Sequence, residues 1–450
     1  MDIQQAVVFR RFQAILFLSL LSVSCLAVGQ EQVRGKAEQA FAQFGSSIYQ
    51  VRIINVKSKN LNSSGSGFYV GDGQHFATNY HVVSSVVLEP EEYKIIIEKN
   101  EQEIELEVEA IDIVNDLAVL SIPQSGEPLA LREKLPSKGE KMYSIGNPHN
   151  IGMTIVEGNY NGLVDDYVFD RIHFSGALNP GMSGGPTIDA SGKVVGVNVQ
   201  TAGNQVGFLV PANKLSDLLQ GVLGPAAYGR VGLSPLDTEA QGAAPMSVYK
   251  ELQKSIGVQI SAATDAIIDE INSREWPLDE LSGATVTGKV HPGFHCWGQS
   301  DTDDKKNILT VVKTCNSRQS IYVSRELNSG FFEYEFRYLE GEDWPEPAFY
   351  RYATQEFSRG RPSNRAGEDD VENFTCVDDI VQMKDNGIRR KTAYCARAYK
   401  KYPNLYDVFY MGVTLNKGNK ALMEHFCLSG VSKDKSNAFL ARFIKQVDWQ

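Results

Sequence analysis

The succession of periodicities along this chain predicts a mainly β protein that continues through a helical connector into a separate α+β domain containing disulfides. Three observations carry that reading. Between residues 47 and 212, short β-branched and aromatic runs alternate with Gly, Asn, Asp or Pro, the pattern of an all-β sandwich or barrel. Residues 245–273 instead repeat apolar side chains at helical spacing. After Pro277 the strand pattern returns, now together with Cys296, Cys315, Cys376, Cys395 and Cys427.

The elements justify this in order. Arg10 and Arg11 precede an apolar run from Phe12 to Val28, and Ala27-Val28-Gly29 is a small-x-small cleavage site, so residues 1–29 read as a signal peptide. A retained anchor is the other reading, but the run is short and broken by serines. Lipidation at Cys25 is disfavoured by Ser22, where an aliphatic residue is usual. With the leader removed, no apolar stretch is long enough to span a bilayer, and the expected location is periplasmic or secreted. Residues 31–44 read as a short helix. Strand runs follow at 49–56, 67–70, 94–98, 104–111, 117–122, 142–145, 153–160, 167–174, 194–200 and 207–210, and Asn213 caps a helix over 214–219. Residues 221–232, with four glycines and Pro225, mark a boundary. The β domain is thus 30–224, the connector 225–278, with Val248, Leu252, Ile256, Ile260, Ile267 and Ile268 as its apolar stripe, and the α+β domain 279–450.

In that last domain, residues 285–290, 308–312, 321–323, 331–338 and 408–415 read as strands and 436–447 as an amphipathic helix. The aromatic and acidic stretch 331–357 reads as a half-buried sheet. Cys296 and Cys315 are 19 residues apart, as are Cys376 and Cys395, and Phe294 and Phe374 precede each pair. The spacing suggests two related hairpins, each closed by a disulfide, against coincidence. Cys427 is left over, as an oxidising compartment allows.

Composition excludes some functions. The net charge of -11 without a basic stretch argues against nucleic acid as a partner. His291, His295 and Cys296 flank Pro292-Gly293, which breaks any helix that would align them on a metal. Residues 301–304 lack the glycine and terminal glutamate of a calcium loop. Neither metal nor cofactor is expected.

Amide hydrolysis by serine needs a hydroxyl, an imidazole, a carboxylate to hold the imidazole's tautomer, and backbone N–H groups for the oxyanion. Gly181-Met182-Ser183-Gly184-Gly185-Pro186 supplies a serine in a glycine-rich turn. Thr78-Asn79-Tyr80-His81-Val82-Val83 places a histidine just past a strand, and Asp116 opens the apolar run Leu117-Ala118-Val119-Leu120. Each has an ordinary structural reading: a hairpin turn, a satisfied histidine, a turn aspartate. Together, their order His81, Asp116, Ser183 is the one found in chymotrypsin-like β-barrels rather than in subtilisin or the α/β-hydrolases.

At this point the chain resembles the HtrA branch of trypsin-like serine proteases. Residues 65–83 are similar to that family's histidine segment and Asp116-Leu-Ala-Val-Leu to its aspartate segment. Ile145-Gly-Asn-Pro148, residues 177–186 and Gly207-Phe-Leu-Val-Pro211 resemble three further family segments in the same order. The resemblance implies a trypsin-like double β-barrel and a serine endopeptidase working through an acyl-enzyme. His81, Asp116 and Ser183 would be the triad, and the backbone N–H groups of Gly181, Met182 and Ser183 the oxyanion hole. Ala177, six residues before the serine, would floor the specificity pocket. Val197 and Val199 would form its walls, favouring cleavage after small or aliphatic residues. The partners implied are protein or peptide substrates, and the family's frequent trimers suggest a homo-oligomer. Met182 departs from the family's asparagine, and no peptide-binding PDZ pattern follows Gly232. Two alternatives stand beside this: a catalytically silent scaffold, and a protein whose main function is an adhesive or inhibitor-like C-terminal module.

Overall fold

The computed structural model describes residues 35–223, 245–382 and 387–449. The expected leader, with Cys25, lies outside the described residues, as does most of the glycine-rich boundary. Helix α1 (Lys36–Phe44) leads into a six-stranded closed barrel. Its strands are β1 (Ile48–Asn55), β2 (Leu61–Val70), β3 (His75–Thr78), β4 (Tyr93–Lys99), β5 (Gln102–Asp112) and β6 (Leu117–Ser121). The order around the barrel is β1-β2-β3-β6-β5-β4. Alternation along each strand sends Val51, Ile53, Tyr69, Phe76, Ile95 and Ile97 into one core.

Between β3 and β4 the chain forms helix α2 (Tyr80–Leu88), an element the β-rich reading passes over. Four of its residues are valines, whose branched side chains mimic a strand signal. Their spacing as two pairs four apart makes one helical face, and all four are buried.

A second closed barrel follows: β7 (Lys141–Gly146), β8 (Thr154–Leu163), β9 (Ile172–Phe174), β10 (Pro186–Ile188), β11 (Val194–Thr201) and β12 (Gly207–Pro211), in the order β10-β11-β12-β9-β8-β7. Of the run 167–174 only β9 is strand. Its first half is a loop held by Gln319 from the far end of the chain: Phe169 N–H donates to Gln319 Oε1 at 2.8 Å, and Gln319 Nε2 donates to Phe169 O at 2.9 Å. Helix α3 (Ala212–Leu223) presses Leu215, Leu218 and Leu219 into the cluster between the barrels, beside Phe68, Tyr143, Ile145 and Val210.

Helix α4 (Pro245–Ser273) divides its apolar stripe between two cores. Tyr249, Leu252, Ile256 and Ile260 complete the first barrel's core, and Ile267, Ile268 and Ile271 join that of the C-terminal sheet. Each such side chain contributes roughly 1.5–3 kcal/mol by leaving water. Gln259 fastens the helix by accepting from Ile113 N–H and donating to Ile111 O.

The C-terminal region builds its own antiparallel sheets. Strands β13 (Leu278–Leu281) and β14 (Ala284–Thr287) pair with the closing β24 (Asp448–Trp449). The main sheet has seven strands: β15 (His295–Asp303), β16 (Ile308–Asn316), β19 (Phe332–Gly341), β20 (Thr375–Gln382), β21 (Arg389–Ala398), β22 (Tyr406–Thr414) and β23 (Lys420–Val431). Its order is β15-β16-β19-β23-β22-β21-β20, so a hairpin stands at each edge. Each edge hairpin carries a disulfide between directly opposed residues, Cys296–Cys315 and Cys376–Cys395, and Cys427 is buried and unbridged. A two-stranded piece, β17 (Ile321–Tyr322) with β18 (Asn328–Ser329), stands apart. Helix α5 (Glu346–Arg359) covers one face of the sheet and α6 (Lys433–Phe443) the other. The expectation of continuous sheet over 331–357 is thus corrected: after β19 the chain turns helical, with Phe349, Ala353 and Phe357 one turn apart on the buried face of α5.

Loops of this region also enter the first barrel's core. Ile321, Val323, Leu327, Val371, Tyr399, Tyr402 and Leu405 pack in the same cluster as Tyr80, Val83 and Val87.

Candidate active site

His81 occupies the first turn of α2, and Asp116 the turn that leads into β6. Asp116 adopts φ +62°, a left-handed conformation that aspartate tolerates better than most residues. Asp112 shapes the same turn by accepting from Asn115 N–H, and Asn79 Nδ2 donates to Asp116 O at 2.8 Å. So held, the Asp116 carboxylate meets His81 twice. Oδ1 accepts from the His81 backbone N–H at 2.8 Å, and Oδ2 lies 2.6 Å from Nδ1. An ionised carboxylate only accepts, so Nδ1 carries a proton and Nε2 is left as the basic nitrogen.

The imidazole is 30% exposed and the Asp116 side chain 11%. Burial disfavours the imidazolium, but the charge of Asp116 and its hydrogen bond outweigh that, and the His81 pKa ends above the ordinary histidine value. Arg171, at the start of β9, lies in the field of Asp116 and Asp112. Burial draws its pKa down while those carboxylates draw it up.

Ser183 stands in the loop between β9 and β10, docked on the first barrel. Its carbonyl accepts from Ser66 N–H at 2.7 Å. A side chain at Gly65 would run into that carbonyl, at 2.9 Å, and into Val82 of the histidine helix, at 2.6 Å. The serine loop is therefore docked beside the helix that carries His81, whose imidazole Asp116 holds. Ser183 Oγ donates to Val199 O at 3.4 Å, and among the described residues no hydrogen bond joins it to His81. Catalytic hydrogen bonds often tighten only with substrate in place.

The turn before Ser183 explains the glycine. Met182 N–H donates to Asn179 O at 3.0 Å, with Pro180 second and Gly181 third at φ +97°. Proline then glycine with positive φ is the type II arrangement. The Pro180 carbonyl accepts from His149 N–H at 2.8 Å. Because the peptide is trans, Gly181 N–H points the opposite way. Gly181 and Ser183 N–H have no protein acceptor among the described residues, whereas Met182 N–H is committed to the turn. Met182 is accordingly removed from the expected oxyanion donors; its side chain is fully buried in the second barrel with Met142, Tyr160 and Phe174.

The pocket expectation is corrected in part. Ala177 is exposed and Val199 half-buried. Val197 is fully buried, paired with Pro186 and Val210, and belongs to the cluster between the barrels. The register shift between Asn198 and Gln200 breaks simple alternation, so Val197 and Val199 do not form one pocket wall.

Several residues that organise this site carry no local sequence signal. Ser66 Oγ accepts from Asn147 N–H and donates to Gly181 O. Asn198 donates to Met182 O and accepts from Ser144 and Thr187. Their partners are distant in the chain, so only the fold identifies them.

Comparison with known proteins bears on residues 65–197, which match the trypsin-like peptidase domain. A probable periplasmic serine endoprotease, DegP-like, of Bartonella henselae is 30% identical over 216 residues, 43% of this chain and 39% of that protein. Human serine protease HTRA3 is 26% identical over 243 residues, 51% of this chain and 49% of that protein. The chain thus spans less than half the length of these curated relatives. Among solved structures, the serine endoprotease from Yersinia pestis aligns over 45% of this chain and 73% of its own, at 22% identity and a TM-score of 0.37. With two closed barrels enclosing the matched segments, that region is similar to the trypsin-like peptidase domain and to serine proteases of the HtrA and DegP kind.

Proposed function

We propose that the protein is a serine endopeptidase. The observation that carries this is the paired grip of Asp116 on His81, through the backbone N–H and through Nδ1, which leaves Nε2 as the basic nitrogen. In the proposed reaction Nε2 takes the Ser183 hydroxyl proton as Oγ attacks the scissile carbonyl. Gly181 and Ser183 N–H receive the oxyanion. The tetrahedral intermediate collapses to an acyl-enzyme as the imidazolium returns its proton to the leaving amine. Water, activated by the same nitrogen, then frees the acyl group and regenerates Ser183. Asp116 holds the tautomer and stabilises the imidazolium. No step calls on a metal or cofactor.

The exposed, uncharged Ala177 supports cleavage after small or aliphatic residues, and Ala177→Asp should turn that preference toward lysine and arginine. Two disulfides, together with curated relatives named as periplasmic, support action outside the cytoplasm. No helix among the described residues is long and apolar enough to cross a membrane. A fluorophosphonate probe tests the chemistry: it should label the folded chain and fail on Ser183→Ala. The competing scaffold reading draws support from the Ser183 hydroxyl bond to Val199, and an unlabelled, correctly folded chain would establish it.

A further inference from the structure

The segment 319–323 reaches from the C-terminal region to both barrels. Gln319 holds the loop before β9 through its two hydrogen bonds to Phe169. Two residues on, β17 begins: Ile321 and Val323 are buried in the first barrel's core, while Tyr322 between them is half-buried and packs at the edge of that core. Val323 O accepts from the Tyr80 hydroxyl at 2.9 Å, fixing the segment to the residue before His81. The Tyr322 ring stands edge-on to His81 at 6.1 Å between centroids and 76° between planes, and to Tyr80 at 6.3 Å. Its hydroxyl is 3.5 Å from Ser84 Oγ, one turn along the same helix.

His81 is thus held on two sides. Asp116 grips Nδ1, and an aromatic ring from outside the barrels limits how the imidazole tilts. We propose that Tyr322 is a positioning residue for His81, and that the strap 319–323 makes the C-terminal region part of the catalytic unit. This rests on the protease reading of His81. Misplacing a general base chiefly slows the chemical step, because substrate binding draws on contacts elsewhere. An edge-to-face aromatic pair is worth about three- to tenfold in a rate that depends on it.

The test uses the full chain and its Tyr322→Phe, Tyr322→Ala and Tyr322→Leu variants. The readouts are the rate constant for fluorophosphonate labelling, and kcat and KM on fluorogenic peptides with alanine or valine before the cleaved bond. Thermal unfolding confirms that each variant is folded. Tyr322→Ala should lose about three- to tenfold in labelling rate and kcat with KM nearly constant, and Tyr322→Phe should stay within about twofold of wild type, since the ring remains. Tyr322→Leu, which keeps apolar bulk, should show the same loss and stands in if the alanine variant does not fold. Wild-type rates in a folded Ala or Leu variant, or a Phe variant as slow as Ala, would overturn the proposal while leaving the protease reading intact. A folded wild-type chain that takes no label would remove that reading and this inference together.

Discussion

Replacing Gly181 by alanine perturbs the turn before the nucleophile at its third residue. The φ of +97° there lies in a region that costs an L-residue roughly 1–2 kcal/mol. The added methyl would also stand 2.3 Å from Asn147 O and 3.2 Å from His149 N, and the first of these is backbone that cannot swing aside. The least costly relief is to rotate the Pro180–Gly181 peptide toward a type I turn, whose third residue sits near φ of about −90°. That rotation breaks the His149 N–H bond to Pro180 O and turns Gly181 N–H away from its present direction. Losing one of two oxyanion donors costs about 10²–10³ in kcat. The fold should lose only about 1–3 kcal/mol, because neither barrel core is touched. Steady-state hydrolysis of a fluorogenic peptide should therefore show kcat down about a hundredfold or more, with KM altered far less. Thermal melting should show a folded chain. A folded Gly181→Ala variant that keeps kcat within about threefold would refute this assignment of the oxyanion donor.

Further outcomes follow from other parts of the structure. The acid limb of kcat/KM should have its midpoint above the ordinary histidine value, since His81 acts as the base and Asp116 holds its pKa up; activity is lost as pH falls through that raised value. The sign for stability is opposite: the contribution of His81 is full below the unfolded histidine pKa and is lost as pH rises through the folded one. Asp116→Asn should cut kcat by about 10⁴ and shift the acid limb downward, because burial then acts on the imidazole without the opposing charge. Replacing both cysteines of either hairpin by alanine should cost about 3 kcal/mol in urea unfolding by the loop-entropy model, and an unchanged midpoint would contradict it. A chain ended at residue 278 should bind hydrophobic dye and aggregate, since it uncovers the first barrel's core where Ile321, Val323, Leu327 and Tyr402 pack. A soluble, cooperatively unfolding truncate would argue against that shared core.

How much was legible in the sequence depends on the range over which its information acts. The β-rich character of residues 47–212 was readable because alternation with period two and turn residues between runs are local signals, its division into two barrels came only from the family resemblance, and α4 was readable because its stripe repeats every turn. Helix α2 was hidden by its valines and α5 by aromatic residues that suit a strand equally well. His81, Asp116 and Ser183 were proposed from their order and flanking motifs, not from any signal in the residues taken singly. Val197 was misplaced because its burial in the cluster between the barrels depends on partners distant in the chain, which a valine-rich run does not reveal.

By itself, then, the sequence determined the β-rich class and the paired cysteine spacing, since these are written in composition and period, and through chain order it pointed to His81, Asp116 and Ser183 as the residues proposed for hydrolysis. Only the tertiary structure decided which N–H groups face open space, that Ser66 and Asn198 brace the serine loop, and that Tyr322 stands against His81 from 241 residues away. Those facts depend on packing between segments far apart in the chain, where loop closure and core burial settle together which side chains meet.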